Sequence, residues 1–582
     1  MQRLLLPLGS LALAAAQSGP WPTEPPSWPH FPSRNVQTLS GSWSYGFAPA
    51  GSIDAAAVRY ADIATPNVTI VPQSWDLRPP GENGPVGSAF FRSTHACTSG
   101  RPSLVFFHAV NFYARVWADG VELGNHTAGG YVPFSFVAPA CGASGTRELL
   151  VLANNEKNST LSPTYTGGDF YFWSGIIRPV VVSELPCSAN AYIQRVEPLT
   201  VDAARGLLDL RVVLGAGLCP PNSPLPGSVH LAVAFNGAAP GAAIEYAVAD
   251  GVAVIPSIAV PAPFAPWTVR ESAAAPYSPN LVEVRVTEAA SNDTVAVRTG
   301  LRVVTADAAT ARILINGQRV KLRGWNRHTM WPDVGAAVTP AQEAIDMGLI
   351  IAANANYIRG AHYPQSQSWL DLADENGVAM WEEALGPGTS TKNMNDEHFM
   401  TNHLAAVTSM VTSSFAHPSV ILHAYFNEGP SDDPNACVGY ARSAETIRSL
   451  TGVPPKALVT WANNHGSSQV QTAAATRSRA RTSNSLQISR ASRLVFCTSQ
   501  GRLHCLRGRH FVQCLSWLVR SRWQRHLSSR RLEQSHRVGS VILPREAGHG
   551  VRDGRRRRLR VDEHIVAFPW TLLVAGVSKQ PC

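Results

Sequence analysis

Two kinds of chemistry have little to work with in this chain. No Cys-X-X-Cys pair and no histidine-rich spacing occurs in its 582 residues, so nothing specifies a zinc site. After the first sixteen residues no apolar run reaches the length of a membrane span, which excludes a helical membrane protein and points to a soluble mature chain. Acidic residues then become scarce: positions 466–582 hold 5 of them against 21 Arg and 1 Lys. Positions 1–465 hold 35 acidic and 27 basic side chains, so the formal net charge of +9 belongs to the tail and the body is mildly acidic. Such a tail, peaking at Arg555-Arg556-Arg557-Arg558, neutralises phosphates well, and nucleic acid is the partner it would suit. It also loses hydrophobic periodicity abruptly, as translation of another frame or of a retained intron would. We read 466–582 as an Arg-rich, mistranslated tail and expect no nucleic-acid partner.

The N-terminus argues for export. Arg3 supplies a positive charge, positions 4–16 a short apolar core, and Ala14-Ala15-Ala16 a small-residue cleavage context, so 1–17 reads as a signal peptide. Four Asn-X-Ser/Thr acceptors, Asn67, Asn125, Asn158 and Asn292, fit a secreted, extracellular glycoprotein. In that compartment the 9 cysteines can form disulfides. Cys97 with Cys141 and Cys187 with Cys219 are neighbours along the chain; connectivity stays open, and the odd count leaves a thiol over.

The chain changes texture twice. From about 36 to 188, short alternating apolar runs such as Ser103–Phe107, Ala114–Ala118 and Glu148–Leu152 are separated by Gly, Asn and Asp turns, the pattern of a β-sandwich. From 189 to 305 the same texture, with Leu207–Leu214 and Leu281–Val286, fits an immunoglobulin-like sandwich. From 306 to 465, strand-like pieces at 320–325, 354–359, 377–382, 419–427 and 456–462 alternate with helical ones near 339–352, 365–375, 397–416 and 436–451. That alternation predicts a parallel sheet, and five units in this length predict a TIM barrel truncated after five strands. The fold class expected is therefore multidomain, β plus α/β. Thr339 with Glu343 resembles a helix-start signal, one place off capping-box spacing.

Four segments put polar groups after an apolar strand, at the end where α/β barrels do chemistry. They are Leu322–His328, Asn354–Pro364, Val378–Glu383 and Pro418–Pro430, the last carrying Asn427-Glu428 before Gly429-Pro430. Singly each has a plain structural explanation: Arg359 can pair with Glu382 or Glu383, and His328 and His362 can be satisfied core histidines. Four in register are hard to account for that way.

These segments resemble glycoside hydrolase family 2, which holds β-glucuronidases, β-galactosidases and β-mannosidases. Gly129–Phe134, Asp169–Pro179 and Val116–Gly120 are similar to its N-terminal sandwich, β-glucuronidases especially. The resemblance covers about 36–465. It implies a jelly-roll-type sugar-binding sandwich at 36–188 and a retaining exo-β-glycosidase, β-glucuronidase-like, with two carboxylates about 5–5.5 Å apart. Glu428 matches the general acid/base, and Asn427 the residue that hydrogen-bonds the sugar 2-hydroxyl. Arg359, His362 and His328 match groups lining the sugar pocket, Arg359 also holding the nucleophile ionised. Asp169 matches a residue reaching over the barrel mouth. The resemblance implies a β-glycoside substrate, no cofactor and no membrane partner; a homo-oligomer stays open. Some relatives carry magnesium, for which Glu382, Glu383 and Glu428 could serve, but no spacing demands it and no metal is assigned.

One part of the pattern is missing. The family's nucleophile is a second Glu about 80–110 residues past the acid/base, and Glu533, Glu546 and Glu563 all lack its context, so the nucleophile is unknown. An acid/base without a nucleophile forms no glycosyl-enzyme, so the alternative is a catalytically defective carbohydrate-binding pseudoenzyme.

Overall fold

The computed structural model describes residues 27–463, apart from 78–83, 157–170, 188–189, 220–222, 276, 308–309, 311, 385 and 452–456. It adds the backbone of 512–514 and 571–575. The signal peptide, Asn158, Asp169 and the three tail glutamates Glu533, Glu546 and Glu563 lie outside the described residues.

Two antiparallel sheets face each other across the first sandwich. One runs Val36–Thr38, Val180–Glu184, Ser103–Phe107, Phe134–Ala138; the other runs Asn67–Val71, Gly41–Pro49, Gly87–Ala96, Thr146–Asn154, Tyr113–Ala118, Val121–His126. Along Thr146–Asn154 the side chains alternate as a strand requires. Leu149, Val151 and Ala153 enter the core with Phe91, Phe107 and Val116. Leu150 and Leu152 point the other way, where Ile63, Tyr113 and Trp117 cover them. Both faces are covered, which is why this strand reads as an unbroken apolar run. Cys97–Cys141 and Cys187–Cys219 are both bonded.

The second sandwich is one seven-stranded antiparallel sheet wrapped around its own core. The strand Ile244–Ala249 makes the turn, pairing with Ser228–Phe235 on one side and Val252–Ala259 on the other. Ile193, Leu210, Val212, Val284, Val286 and Val295 fill the inside.

Five parallel strands follow: Gly324–Arg327, Tyr357–Gly360, Ala379–Glu383, Val420–Ala424 and Leu458–Asn463. Between them lie α1 (Pro340–Ala352), α2 (Gln367–Asn376), α3 (Thr391–Met394), α4 (Glu397–Ser413) and α5 (Cys437–Thr451). The four longer helices answer to the four predicted; α3, capped by Ser390, gave no periodic signal because it is a single turn. The fourth strand stops at Ala424 although its apolar run continues, because Phe426 takes a positive φ of 52° and leaves the ladder. The first strand starts later than predicted, since Val320 and Leu322 pack beneath the sheet instead. After the fifth strand the direction changes: Thr571–Ala575 pairs antiparallel to it, and Val512–Cys514 antiparallel to that.

The start of α1 corrects the capping expectation. The box closes on Gln342, not Glu343: Thr339 Oγ1 accepts from Gln342 N at 3.3 Å, and Gln342 Oε1 accepts from Thr339 N at 2.9 Å. Pro340 occupies the first helical position, so the third is one residue earlier than a count to Glu343 gives. Glu343 turns inward and accepts from Ser368 Oγ at 2.6 Å and from Ser366 Oγ.

Buried arginines bolt the sandwiches to the barrel. Arg178 donates to the carbonyls of Tyr131 at 2.8 Å, Pro364 at 2.7 Å and Gln365 at 3.3 Å, and burial lowers its pKa from the ordinary range. Arg302, pushed down to about 10 by burial, donates to the carbonyls of Pro418 and of Val420, the latter at 2.5 Å. A third junction gathers on α2. Asp371 accepts from Arg298 at 3.0 Å and from the Trp28 amide at 3.1 Å, while Asp374 holds His417 at 2.6 Å and the Ser419 amide at 2.9 Å.

The end of α2 is the clearest local dependence on glycine. Gly377 has φ 63°, and an added Cβ would stand 2.4 Å from the Tyr277 ring. Gly377→Ala is expected to lower stability by at least about 1–2 kcal/mol, the cost of a left-handed alanine, with the clash added. A thermal melt that leaves the midpoint unchanged would contradict this reading of the junction.

Candidate active site

The polar residues predicted at the strand ends converge. In the parallel register Arg359 lies beside Asn326 and Trp381, and Gly360 beside Glu382. Arg359, Trp381 and Glu383 therefore project to one side of the sheet, and Glu382 to the other. Arg359 Nε donates to Glu383 Oε2 at 3.0 Å and Nη2 to Glu383 Oε1 at 2.9 Å, a bidentate pair. Nη2 also donates to Asn427 Oδ1 at 2.6 Å and lies 3.1 Å from His362 Nδ1. His362 Nδ1 is 2.8 Å from Glu383 Oε1, and the Trp381 indole donates to Glu383 Oε2 at 2.8 Å. One carboxylate thus orients three neighbours from the second and third strands, and through Arg359 a fourth from the strand after.

The electrostatics follow from this geometry. Burial alone would push the Glu383 carboxyl up; the Arg359 charge and the His362 bond outweigh it and hold it below its ordinary value. Glu382, one residue earlier, is fully buried on the opposite face. There burial pushes it up to about 7, against weaker pulls from Ser414 and His417. Two adjacent glutamates with opposite fates record the two-residue period of a strand.

Glu428 stands at the rim. It is half-buried, with φ 54°, and its amide donates to the Ala462 carbonyl of the fifth strand at 2.9 Å. Phe426 and Glu428 both sit in the left-handed region, rare for such side chains, so the chain kinks twice to present Asn427 and Glu428. His328, also half-buried, meets the Tyr363 hydroxyl through Nδ1 at 3.4 Å, and its ring centroid is 5.1 Å from that of His362. The Tyr363 hydroxyl accepts from the Thr329 amide at 3.0 Å, and Tyr131 of the first sandwich stacks on its ring at 3.8 Å.

The structure thus brings Arg359, His362 and Asn427 into one hydrogen-bonded group, with His328 against its edge and Glu428 next in chain to Asn427. The partner carboxylate of Arg359 is Glu383 on the third strand. Sequence reasoning weighed that pairing only as a structural alternative, and it missed Trp381, Tyr363 and Tyr131. The available signal was the pair Trp381/Glu383, two apart and so on one face with Arg359. A divalent cation does not fit this set. Glu382 and Glu383 face opposite ways, and both Glu383 oxygens are committed to donors beside a guanidinium.

Two β-sandwiches leading into parallel strands with a charged cluster at their carboxyl ends define an α/β-barrel protein with a built site. Residues 307–487 match the family described as glycosyl hydrolases family 2, TIM barrel domain. A putative β-glucuronidase of Formosa agariphila is 25% identical over 418 residues, 68% of this chain and 46% of that protein. A β-glucuronidase of Paenibacillus borealis is 22% identical over 463 residues, 74% of each. A β-glucuronidase of Sus scrofa is 25% identical over 381 residues, 59% of this chain and 55% of that protein. The chain thus spans about half the length of two of these three relatives. Among solved structures, a family 2 β-galacturonidase from Eisenbergiella tayi bound to galacturonate shares the fold at TM-score 0.60 and 24% identity, over 74% of this chain and 71% of that one. Bifidobacterium dentium β-glucuronidase complexed with coumarin-3-O-glucuronide does so at TM-score 0.60 and 20% identity, over 76% and 75%. The family match and the relatives together support the resemblance to glycoside hydrolase family 2. Nothing among these relatives supports a pseudoenzyme.

Two predictions follow from the opposed glutamates. Glu383→Gln removes the bidentate carboxylate from buried Arg359 and should cost about 3–5 kcal/mol; denaturant unfolding that shifts by less than about 1 kcal/mol would show the pair is not buried as described. Glu382 behaves oppositely. Because its folded pKa is raised from 4.5 to about 7, its contribution is present below pH 4.5 and is lost as pH rises through about 7. Glu382→Gln should therefore melt higher than the parent above pH 7 and flatten the stability profile between the two values. An unchanged profile would place Glu382 in water.

Proposed function

We propose that the chain is a retaining exo-β-glycosidase of the β-glucuronidase type. Glu428 protonates the departing glycosidic oxygen and then, as a carboxylate, activates the water that releases the sugar. Asn427 donates from its amide nitrogen to the sugar 2-hydroxyl, leaving its oxygen on Arg359. Arg359, His362 and His328 line the pocket; Asp169 lies outside the described residues. The carrying observation is the group Arg359–Glu383–His362–Asn427 held beside Glu428. A hydrogen-bonded, buried frame of this kind keeps Asn427 pre-oriented, so a contact that strengthens at the transition state needs no reorganisation. The names of the relatives, β-glucuronidases and a β-galacturonidase, favour a uronic acid as the sugar. No nucleophile is assigned; Glu533, Glu546 and Glu563 lie outside the described residues. We also propose that the protein is exported: three of its four glycan acceptors, Asn67, Asn125 and Asn292, are exposed.

The test is turnover of aryl β-glucuronides and β-galacturonides by the full chain and by Glu428→Gln. Loss of the acid/base should cut kcat/KM by about 10²–10⁴ for poor leaving groups and far less for activated ones. Added azide should restore turnover and yield a β-glycosyl azide, since retention requires attack on the same face as the departed aglycone. Equal loss for all leaving groups, or an α-azide, would remove Glu428 from this role or retention from the mechanism.

A further inference from the structure

The six-stranded sheet of the first sandwich is open at both sides, and each edge strand carries a glycan acceptor. At one side lies Asn67–Val71, sequence Asn-Val-Thr-Ile-Val, paired only with Gly41–Pro49. At the other lies Val121–His126, paired only with Tyr113–Ala118, where Asn125-His126-Thr127 begins. Asn67 and Asn125 are both exposed. The third described acceptor, Asn292, lies at the hairpin turn just before the strand Asp293–Thr299.

The two edges are unequal. An unpaired strand of apolar residues is a template for a second chain unless something blunts it. The strand Val121–His126 has protection: Glu122 is salt-bridged to Arg115 at 2.7 Å, and a bulge interrupts its register between Val116 and Trp117. The strand Asn67–Val71 has only its five-residue length and the prolines at its two ends, Pro66 and Pro72. It holds no charge, proline or bulge; Val68 is 70% and Ile70 56% exposed. Its four residues Val68–Val71, all of high β-propensity, form the kind of segment that pairs edge to edge.

We propose that Asn67 is N-glycosylated and that its glycan is the edge guard of this sheet, with Asn125 a second, less critical one. The proposal rests on the export reading above but not on any glycosidase activity. The bond formed joins Asn67 Nδ2 to the anomeric carbon of an oligosaccharide. The bond broken is that carbon's link to the pyrophosphate of a glycosyl-pyrophosphate lipid donor, and the amide proton is lost. A hydrated branched chain on the first residue of the strand prevents a second backbone from reaching the ~4.8 Å spacing that pairing needs.

The test is to secrete the full chain from a glycosylating animal-cell host. Enzymatic deglycosylation converts occupied Asn to Asp, which peptide mass spectrometry reads at each acceptor. We expect Asn67 and Asn125 occupied. On size-exclusion chromatography with light scattering, Asn67→Gln and Thr69→Ala should each lose monomer relative to the parent. Asn125→Gln should lose less, and Val68→Lys added to Asn67→Gln should restore the parent profile. Occupancy at Asn158 or Asn292 with Asn67 bare overturns the proposal and leaves export standing. All four bare overturns both. Glycan-free variants that elute as the parent overturn the guarding role.

Discussion

A buried guanidinium must have its donors met, by backbone carbonyls as at Arg178 and Arg302 or by a carboxylate as at Arg359, and the second of these arrangements organises the barrel mouth. Moving an isolated charge into a protein interior costs far more than any single contact returns, so Arg359 and Glu383 are obligate partners. Their bidentate contact fixes the second strand against the third at the end where the loops begin. Everything else at the mouth is placed relative to it: the His362 ring on one carboxylate oxygen, the Trp381 indole on the other, the Asn427 carbonyl on the guanidinium. What looks like a pocket assembled from four strand ends is one ion pair with attachments.

The family resemblance, the sequence of two β layers and one α/β layer, and the four helices of ten or more residues were legible because each rests on a periodicity or a motif. What was not legible rests on partners chosen in three dimensions. Arg359 had two candidate acids one residue apart, and only strand phase decides that Glu383 takes it while Glu382 goes to the far face. Tyr131 and Tyr363 were both within quoted motifs, but their stacking depends on how the first sandwich is seated. The cap of α1 was misjudged by one position because Pro340 advances the helix start. The end of the fourth strand was overrun because an apolar run says nothing about the φ at Phe426.

The strand order carries a further point. Parallel strands need crossovers, and the four between the described barrel strands supply helices to bury the outer face. The next two strands in the sheet come from 571–575 and 512–514 and run antiparallel. Among the described residues, that arrangement pairs the free side of the fifth strand without a sixth parallel strand. The cluster on the second to fourth strands is held by hydrogen bonds among its own members.

Apart from the Arg298–Asp371 pair, the principal bolts between domains share a trait with consequences for how such a protein diversifies. Arg178 grips the carbonyls of residues 131, 364 and 365; Arg302 those of 418 and 420; Trp267 that of 374; Ser409 that of 133. A carbonyl is present whatever side chain sits above it. Residues at the gripped positions can therefore change identity without loosening the joint, provided the backbone path is kept. Where a carbonyl is the acceptor, the seam constrains shape and leaves side-chain chemistry free, so loops at the strand ends can change sequence while the three layers stay in the same relation.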